Sequence, residues 1–97
     1  MEIVIDGPAL VLTGDFDVRS TFRVRTALYD HLASYDEVVV DLTDVRSVDV
    51  TALKVLAVAS REGQRVTLRG CNGAVRRMLH MTHLIRLVDV ERQAVSA

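Results

Sequence analysis

VVVDLTDVRSVDVTALKVL, Val38 to Leu56, decides how this chain folds. Three consecutive valines inside Glu37 to Asp41 suit a strand covered on both faces. The polar residues that follow read as a short turn. A helix then opens at Asp49-Val50-Thr51-Ala52-Leu53, with Asp49 as N-cap and Thr51 as the second helical residue. A strand feeding a helix through a short connection is half of a βαβ unit, and it places one hydroxyl in a helix first turn.

The flanks extend the same pattern in both directions. Downstream, Arg65-Val66-Thr67-Leu68-Arg69 alternates, with Val66 and Leu68 inward. Asn72 caps a third helix running to about Met81, with Val75, Met78 and Leu79 inward, and Ile85 to Val90 reads as a last strand. Strand, helix, strand, helix, strand implies parallel pairing with right-handed crossovers. Upstream, Glu2 to Ile5 and Ala9 to Thr13 alternate around Asp6-Gly7-Pro8, which predicts an antiparallel hairpin. Gly14-Asp15-Phe16-Asp17 closes the second strand. Asp17 or Ser20 caps a helix to about Ser34, whose apolar stripe is Val24, Ala27, Leu28 and Leu32. The expected fold class is α/β: one domain over residues 1–97, a mixed sheet built from an N-terminal hairpin and parallel βαβ units, and three to four helices, the fourth short and near Val90.

Composition excludes several function classes. A chain of 97 residues can bury one core without disulfides or metals. Its 49% apolar and 26% charged residues are ordinary for a globular protein and argue against disorder. A net charge of −1 provides no whole-chain attraction to nucleic acid or to an anionic membrane. Cys71 is alone, which excludes a disulfide framework and a cysteine-based zinc site. The N-terminus lacks the basic and apolar regions of a signal peptide, and Val50 to Ala59 is too short to span a bilayer. The expectation is a cytoplasmic protein, monomeric or weakly dimeric, with no membrane insertion and no direct nucleic-acid binding.

No catalytic constellation stands out. Asp15 and Asp17 resemble an acid/base pair, but no nucleophile, oxyanion donor set or cofactor loop accompanies them. His80 and His83 are three apart without an evident third ligand, and read as surface histidines at a helix end. His31 is placed at the edge of the first helix, Cys71 at a helix start, and Arg76 with Arg77 on a solvated helix face. The chain is therefore expected not to be an enzyme and to need no cofactor or metal.

The helix after Asp49 carries the interest. At about 100° per residue, Ala52, Val55, Leu56 and Ala59 share the core face. Thr51, Lys54, Val58 and Arg61 fall opposite, and Val58 with the flanking Ala57 makes that outer face partly apolar. Such a patch is either a docking surface or a single stray exposed valine. Thr51 also has two readings from residue type alone. It is a first-turn threonine whose oxygen serves free N–H groups, or it is a phosphorylation site.

Three motifs in register resemble one family. Val40-Asp41-Leu42-Thr43 leading to Asp49-Val50-Thr51-Ala52-Leu53, Leu12-Thr13-Gly14-Asp15-Phe16-Asp17, and Val66-Thr67-Leu68 followed by Ala74-Val75-Arg76-Arg77-Met78-Leu79 are similar to the signature segments of STAS domains, the family of bacterial anti-sigma-factor antagonists. Departures are Ala52 where the family usually has Gly, Lys54 where it has a small residue, and His83 where it has Gly after the third helix. The resemblance implies a STAS domain that regulates transcription by protein–protein interaction. Its partner would be an anti-sigma factor with serine/threonine kinase activity, which itself binds the ATP and phosphorylates Thr51. It also implies a partner-binding surface of Asp15, Asp17, Asp49, Val50, Lys54, Val58 and Arg61. The alternative implied by the same family is a cytoplasmic STAS subunit of an ABC-type lipid transporter that grips its ATPase, with Thr51 as a contact residue.

Overall fold

Val38, Val40 and Leu42 are buried while Val39, Asp41 and Thr43 are not, so the central strand presents one face to the core. The computed structural model describes residues 1–60 and 65–91. Its strands are β1 (Glu2–Asp6), β2 (Ala9–Phe16), β3 (Glu37–Val48), β4 (Arg65–Arg69) and β5 (Asp89–Val90). They form one sheet in the order β1-β2-β3-β4-β5. β1 and β2 pair antiparallel across Gly7-Pro8, and every later neighbour pairs parallel. The mixed sheet expected from the hairpin and the βαβ units is therefore present. The described residues contain three α-helices, α1 (Thr21–Ser34), α2 (Val50–Ser60) and α3 (Gly73–Met81), and one 3-10 turn, Leu84–Arg86.

One core holds these elements. Leu10, Leu12 and Phe16 of β2, Val38 and Val40 of β3, and Val66 and Leu68 of β4 meet Val24 and Leu28 of α1, Leu53 and Leu56 of α2, and Leu79 of α3 in a single buried cluster. Each such side chain contributes about 1.5–3 kcal/mol by leaving water. The predicted stripe of α1 is realised by Val24, Leu28 and Leu32, with Ala27 half-buried. The opposite sheet face is not covered by a described helix, which corrects the expectation of a strand buried on both sides. Val11 and Val39 lie half-buried there, beside a ladder of Arg65 with Asp89 at 3.6 Å and Arg69 with Glu91 at 3.3 Å.

Other boundaries also differ from expectation, each for an identifiable reason. β3 does not end at Asp41 but continues to Val48, and β2 continues through Gly14 and Asp15 to Phe16. The pairing slips twice, once between Val11 and Thr13 and once between Gly14 and Asp15, where β3 carries an extra residue each time. Those bulges break the two-residue period, so the polar DLTDVRS segment imitates a turn. Ile85 to Val90 is not a continuous strand. Leu84 and Val88 are the buried residues there, four apart, and only Asp89–Val90 joins the sheet. Ser20 takes the N-cap position of α1 without a side-chain cap, because its hydroxyl turns back to the Asp15 or Asp17 carbonyl, 3.1 Å from each. His31 is not at a helix edge but buried, with Nε2 3.0 Å from the Gly7 carbonyl oxygen. Cys71 is buried as well, and burial raises its thiol pKa against the opposing charge of Arg76. The guanidinium of Arg76 reaches the carbonyls of Cys71 and Glu91, both at 3.3 Å, so it ties α3 to the end of β5 rather than pointing freely into solvent.

Two backbone positions show what the sequence pattern conceals. Gly70 leaves β4 at φ +74°, and a Cβ there would stand 2.8 Å from the Thr43 amide nitrogen. The long β3 strand therefore requires glycine at that crossing. His83 occupies the left-handed region at φ 62°, the conformation that a glycine adopts without penalty.

Candidate functional site

The site forms where β2 and β3 end side by side. The Asp49 amide donates to the Phe16 carbonyl at 3.2 Å, joining the start of α2 to the end of β2. Open parallel sheets place ligands and partners beyond the carboxyl ends of their strands. Asp15, Asp17, Asp49, Val50 and Thr51 all lie in this region.

Asp49 caps α2 as its residue type predicts. Its Oδ1 accepts from the Ala52 amide at 2.8 Å, and its carbonyl accepts from Leu53 at 3.2 Å. That division of labour frees Thr51. The threonine is exposed on the first turn, and among the described residues its hydroxyl makes no hydrogen bond. The ordinary first-turn use of a threonine oxygen is thus taken over by the aspartate two residues earlier. Val50 is exposed beside it.

The rest of α2 settles its two faces. Ala52, Leu56 and Ala59 are buried, and Val55 is half-buried, as the helical period predicts. Leu53 and Ala57 are buried too, so Ala57 belongs to the core and not to an outer apolar patch. α2 packs against α1, β4 and the 3-10 turn Leu84–Arg86, so more of its circumference is buried than one sheet face alone would cover. Lys54 is exposed and Val58 is 47% exposed, both on the outer side as expected. Arg61 lies outside the described residues.

The acidic loop is locally neutralised. Arg46 donates to Asp15 through Nε at 3.1 Å and Nη2 at 2.9 Å, and the Ser47 hydroxyl donates to it at 2.8 Å. The hydrogen bonds from Arg46 and then Ser47 hold the Asp15 carboxyl down to about 2. Asp17 accepts from the Arg19 amide and guanidinium, both at 2.9 Å, and the guanidinium bond is the main reason its pKa is lowered. A depressed folded-state pKa supplies stability above the unfolded value that is lost as pH falls. For Asp15 that window runs from about 3.8 down to about 2. Urea melts across it are expected to show wild type and Asp15→Asn converging as the pH drops. A stability difference that stays constant over this range would disprove the pairing.

A groove between α1 and α2 was not foreseen from sequence. It has a volume of about 410 Å³ and is lined by Arg25 and Tyr29 of α1 and by Thr51, Lys54, Val55 and Val58 of α2. Arg25 and Tyr29 are four apart on α1, which signals a shared helix face, but nothing in the sequence says that α2 lies beside it. The Asp15–Arg46 pair was equally invisible, since it depends on the register of two parallel strands. His80 and His83 are both exposed, and no group of three His, Cys, Asp or Glu residues suited to a metal occurs among the described residues. No helix among the described residues is long and apolar enough to cross a membrane.

A helix-backed mixed sheet that displays a capped helix start beside an acidic loop defines the STAS class of protein folds. The family model described as "Mlab, STAS domain" matches residues 3–89, and the chain belongs to that family. No curated protein sequence matches it. Among solved structures, TM1081 of Thermotoga maritima is 21% identical, with a TM-score of 0.74 over 95% of this chain and 86% of that one. An anti-sigma factor antagonist from Mycobacterium paratuberculosis is 19% identical, with a TM-score of 0.75 over 95% and 84% of the two chains. The anti-sigma factor antagonist SpoIIAA in its unphosphorylated form is 12% identical, with a TM-score of 0.73 over 95% and 88%. At these identities the likeness is one of fold.

Proposed function

We propose that this chain is an anti-sigma-factor antagonist. It docks an anti-sigma factor that has serine/threonine kinase activity and is switched off by phosphorylation at Thr51. The observation that carries the reading is the exposed Thr51 hydroxyl on the first turn of α2, relieved of capping by Asp49. Its place on the wall of an apolar groove adds support, as does the shared fold with proteins described as anti-sigma factor antagonists. The partner surface comprises Asp49, Val50, Lys54 and Val58, the Asp15–Asp17 loop, and Arg61.

The chemistry asks nothing catalytic of this chain, because the partner brings ATP and the phosphoryl-transfer machinery. The hydroxyl is presented, and the fold tolerates what is attached to it. A phosphate adds about −1.5 to −2 charges. The helix N-terminus offsets this by about 0.3–1 kcal/mol, while the Asp49 carboxylate opposes it. Folding should therefore persist as the surface turns anionic. A partner surface fitted to a neutral hydroxyl would have to desolvate that phosphate, and binding should weaken.

The test is intact-mass spectrometry after incubation with the cognate kinase and ATP, with Thr51→Ala as control. One phosphate on wild type and none on the variant is the expected result. A phosphate on both, or on neither with a kinase shown to be active, would refute the switch. The second of those outcomes favours the transporter-subunit reading, in which the groove position of Thr51 makes it a contact residue alone.

A further inference from the structure

We propose that the groove between α1 and α2 receives a partner segment with one or two apolar side chains flanked by carboxylates, which pair with Arg25 and Lys54. The inference deepens the reading of the chain as a protein-binding module by specifying the chemistry of what it binds.

The groove's lining is asymmetric in charge. Of its six described lining residues, Arg25 and Lys54 are cationic and none is acidic, while Val55, Val58 and the ring of Tyr29 provide apolar surface. Both cations are exposed, and among the described residues neither has an ion pair or a side-chain hydrogen bond. Four other arginines are matched to carboxylates, Arg19 with Asp17, Arg46 with Asp15, Arg65 with Asp89 and Arg69 with Glu91, whereas Arg77 and Arg86 stand exposed and, among the described residues, unmatched away from the groove. What sets Arg25 and Lys54 apart is that both, unmatched, flank one apolar cleft. Its volume of about 410 Å³ accommodates more than one aliphatic side chain.

Electrostatic complementarity selects the occupant. A basic segment would be repelled at Arg25 and Lys54. A purely apolar one would leave both charges without a partner and gain nothing from them. An apolar anchor with acidic neighbours satisfies both parts of the groove. Thr51 stands on the same wall, three residues and about one helical turn before Lys54, so their side chains are neighbours on the helix surface. A phosphate on Thr51 would compete for Lys54 and repel incoming carboxylates. Modification would then close the groove to its occupant by charge, with no change of fold.

The probe is an acetylated, amidated hexapeptide of two leucines flanked on each side by two glutamates, titrated into ¹⁵N-labelled unmodified protein. Amide shifts are expected at Arg25, Tyr29, Thr51, Lys54 and Val58. The same peptide with lysines in place of glutamates, or serines in place of leucines, should leave them unmoved. Arg25→Glu with Lys54→Glu should weaken binding of the glutamate peptide by about tenfold or more and create binding of the lysine peptide. Both positions are exposed, and the spectrum of the double variant reports directly that it is folded. Equal shifts with glutamate and lysine peptides, shifts confined to other surfaces, or no shifts at millimolar peptide would overturn the proposal. Failure here leaves the kinase assay on Thr51 untouched. Peptide binding by a protein that an active kinase leaves unmodified would uphold the groove and remove the phosphorylation switch alone.

Discussion

Leu56→Ala is expected to lower folding stability by about 2–5 kcal/mol. Leu56 is fully buried on the inward face of α2, in the same cluster as Leu12 and Phe16 of β2, Val40 of β3 and Leu68 of β4. Truncation removes the transfer free energy of the lost carbons and leaves a void that a rigid sheet cannot collapse to fill. Small domains hold only about 5–15 kcal/mol in total, so the variant should melt at markedly lower denaturant with an unchanged slope. A loss below about 0.5 kcal/mol in urea or guanidinium melts would mean that α2 does not pack through this face.

Val58→Asp should have the opposite profile. Two residues along the helix from Leu56, Val58 is 47% exposed and lines the groove rather than the core. A carboxylate there meets solvent in the free protein, so the melting temperature should hardly move. In the complex it would sit within a desolvated contact, where central interface positions lose about 2 kcal/mol or more on substitution, some thirtyfold in affinity. Calorimetric titration against the anti-sigma partner, alongside a thermal melt, separates the two effects. Unaltered affinity would remove α2's outer face from the interface. A collapsed melting temperature would place Val58 in the core.

These two residues show where the sequence could be read directly. The assignment of Leu56 inward and Val58 outward follows from helical period alone, because a helix repeats every 3.6 residues whatever surrounds it. The same reasoning places Val66 and Leu68 inward and assigns both caps, Asp49 to Ala52 and Asn72 to Val75, at 2.8 and 2.9 Å. Period reading failed where the period itself was broken. The two bulged residues of β3 turned a twelve-residue strand into an apparent strand and turn. It failed again at Ala57, because how wide an arc of α2 is buried depends on which elements pack around it.

By itself, then, the sequence determined the order of elements, the mixed sheet, the inward stripes of α1 and α2, and the exposure of Thr51 beside its capping aspartate. All of these rest on interactions within a few residues, or on a strand–helix alternation that leaves few topologies open. Only the tertiary structure decided that Asp15 is held by Arg46, thirty-one positions away, and that Gly70 must pass the backbone of Thr43. It alone brought Arg25 and Tyr29 beside Thr51 and Lys54 to form the groove. Those contacts depend on strand register and on the relative placement of two helices. Both are set by how the whole core packs, which no local pattern encodes.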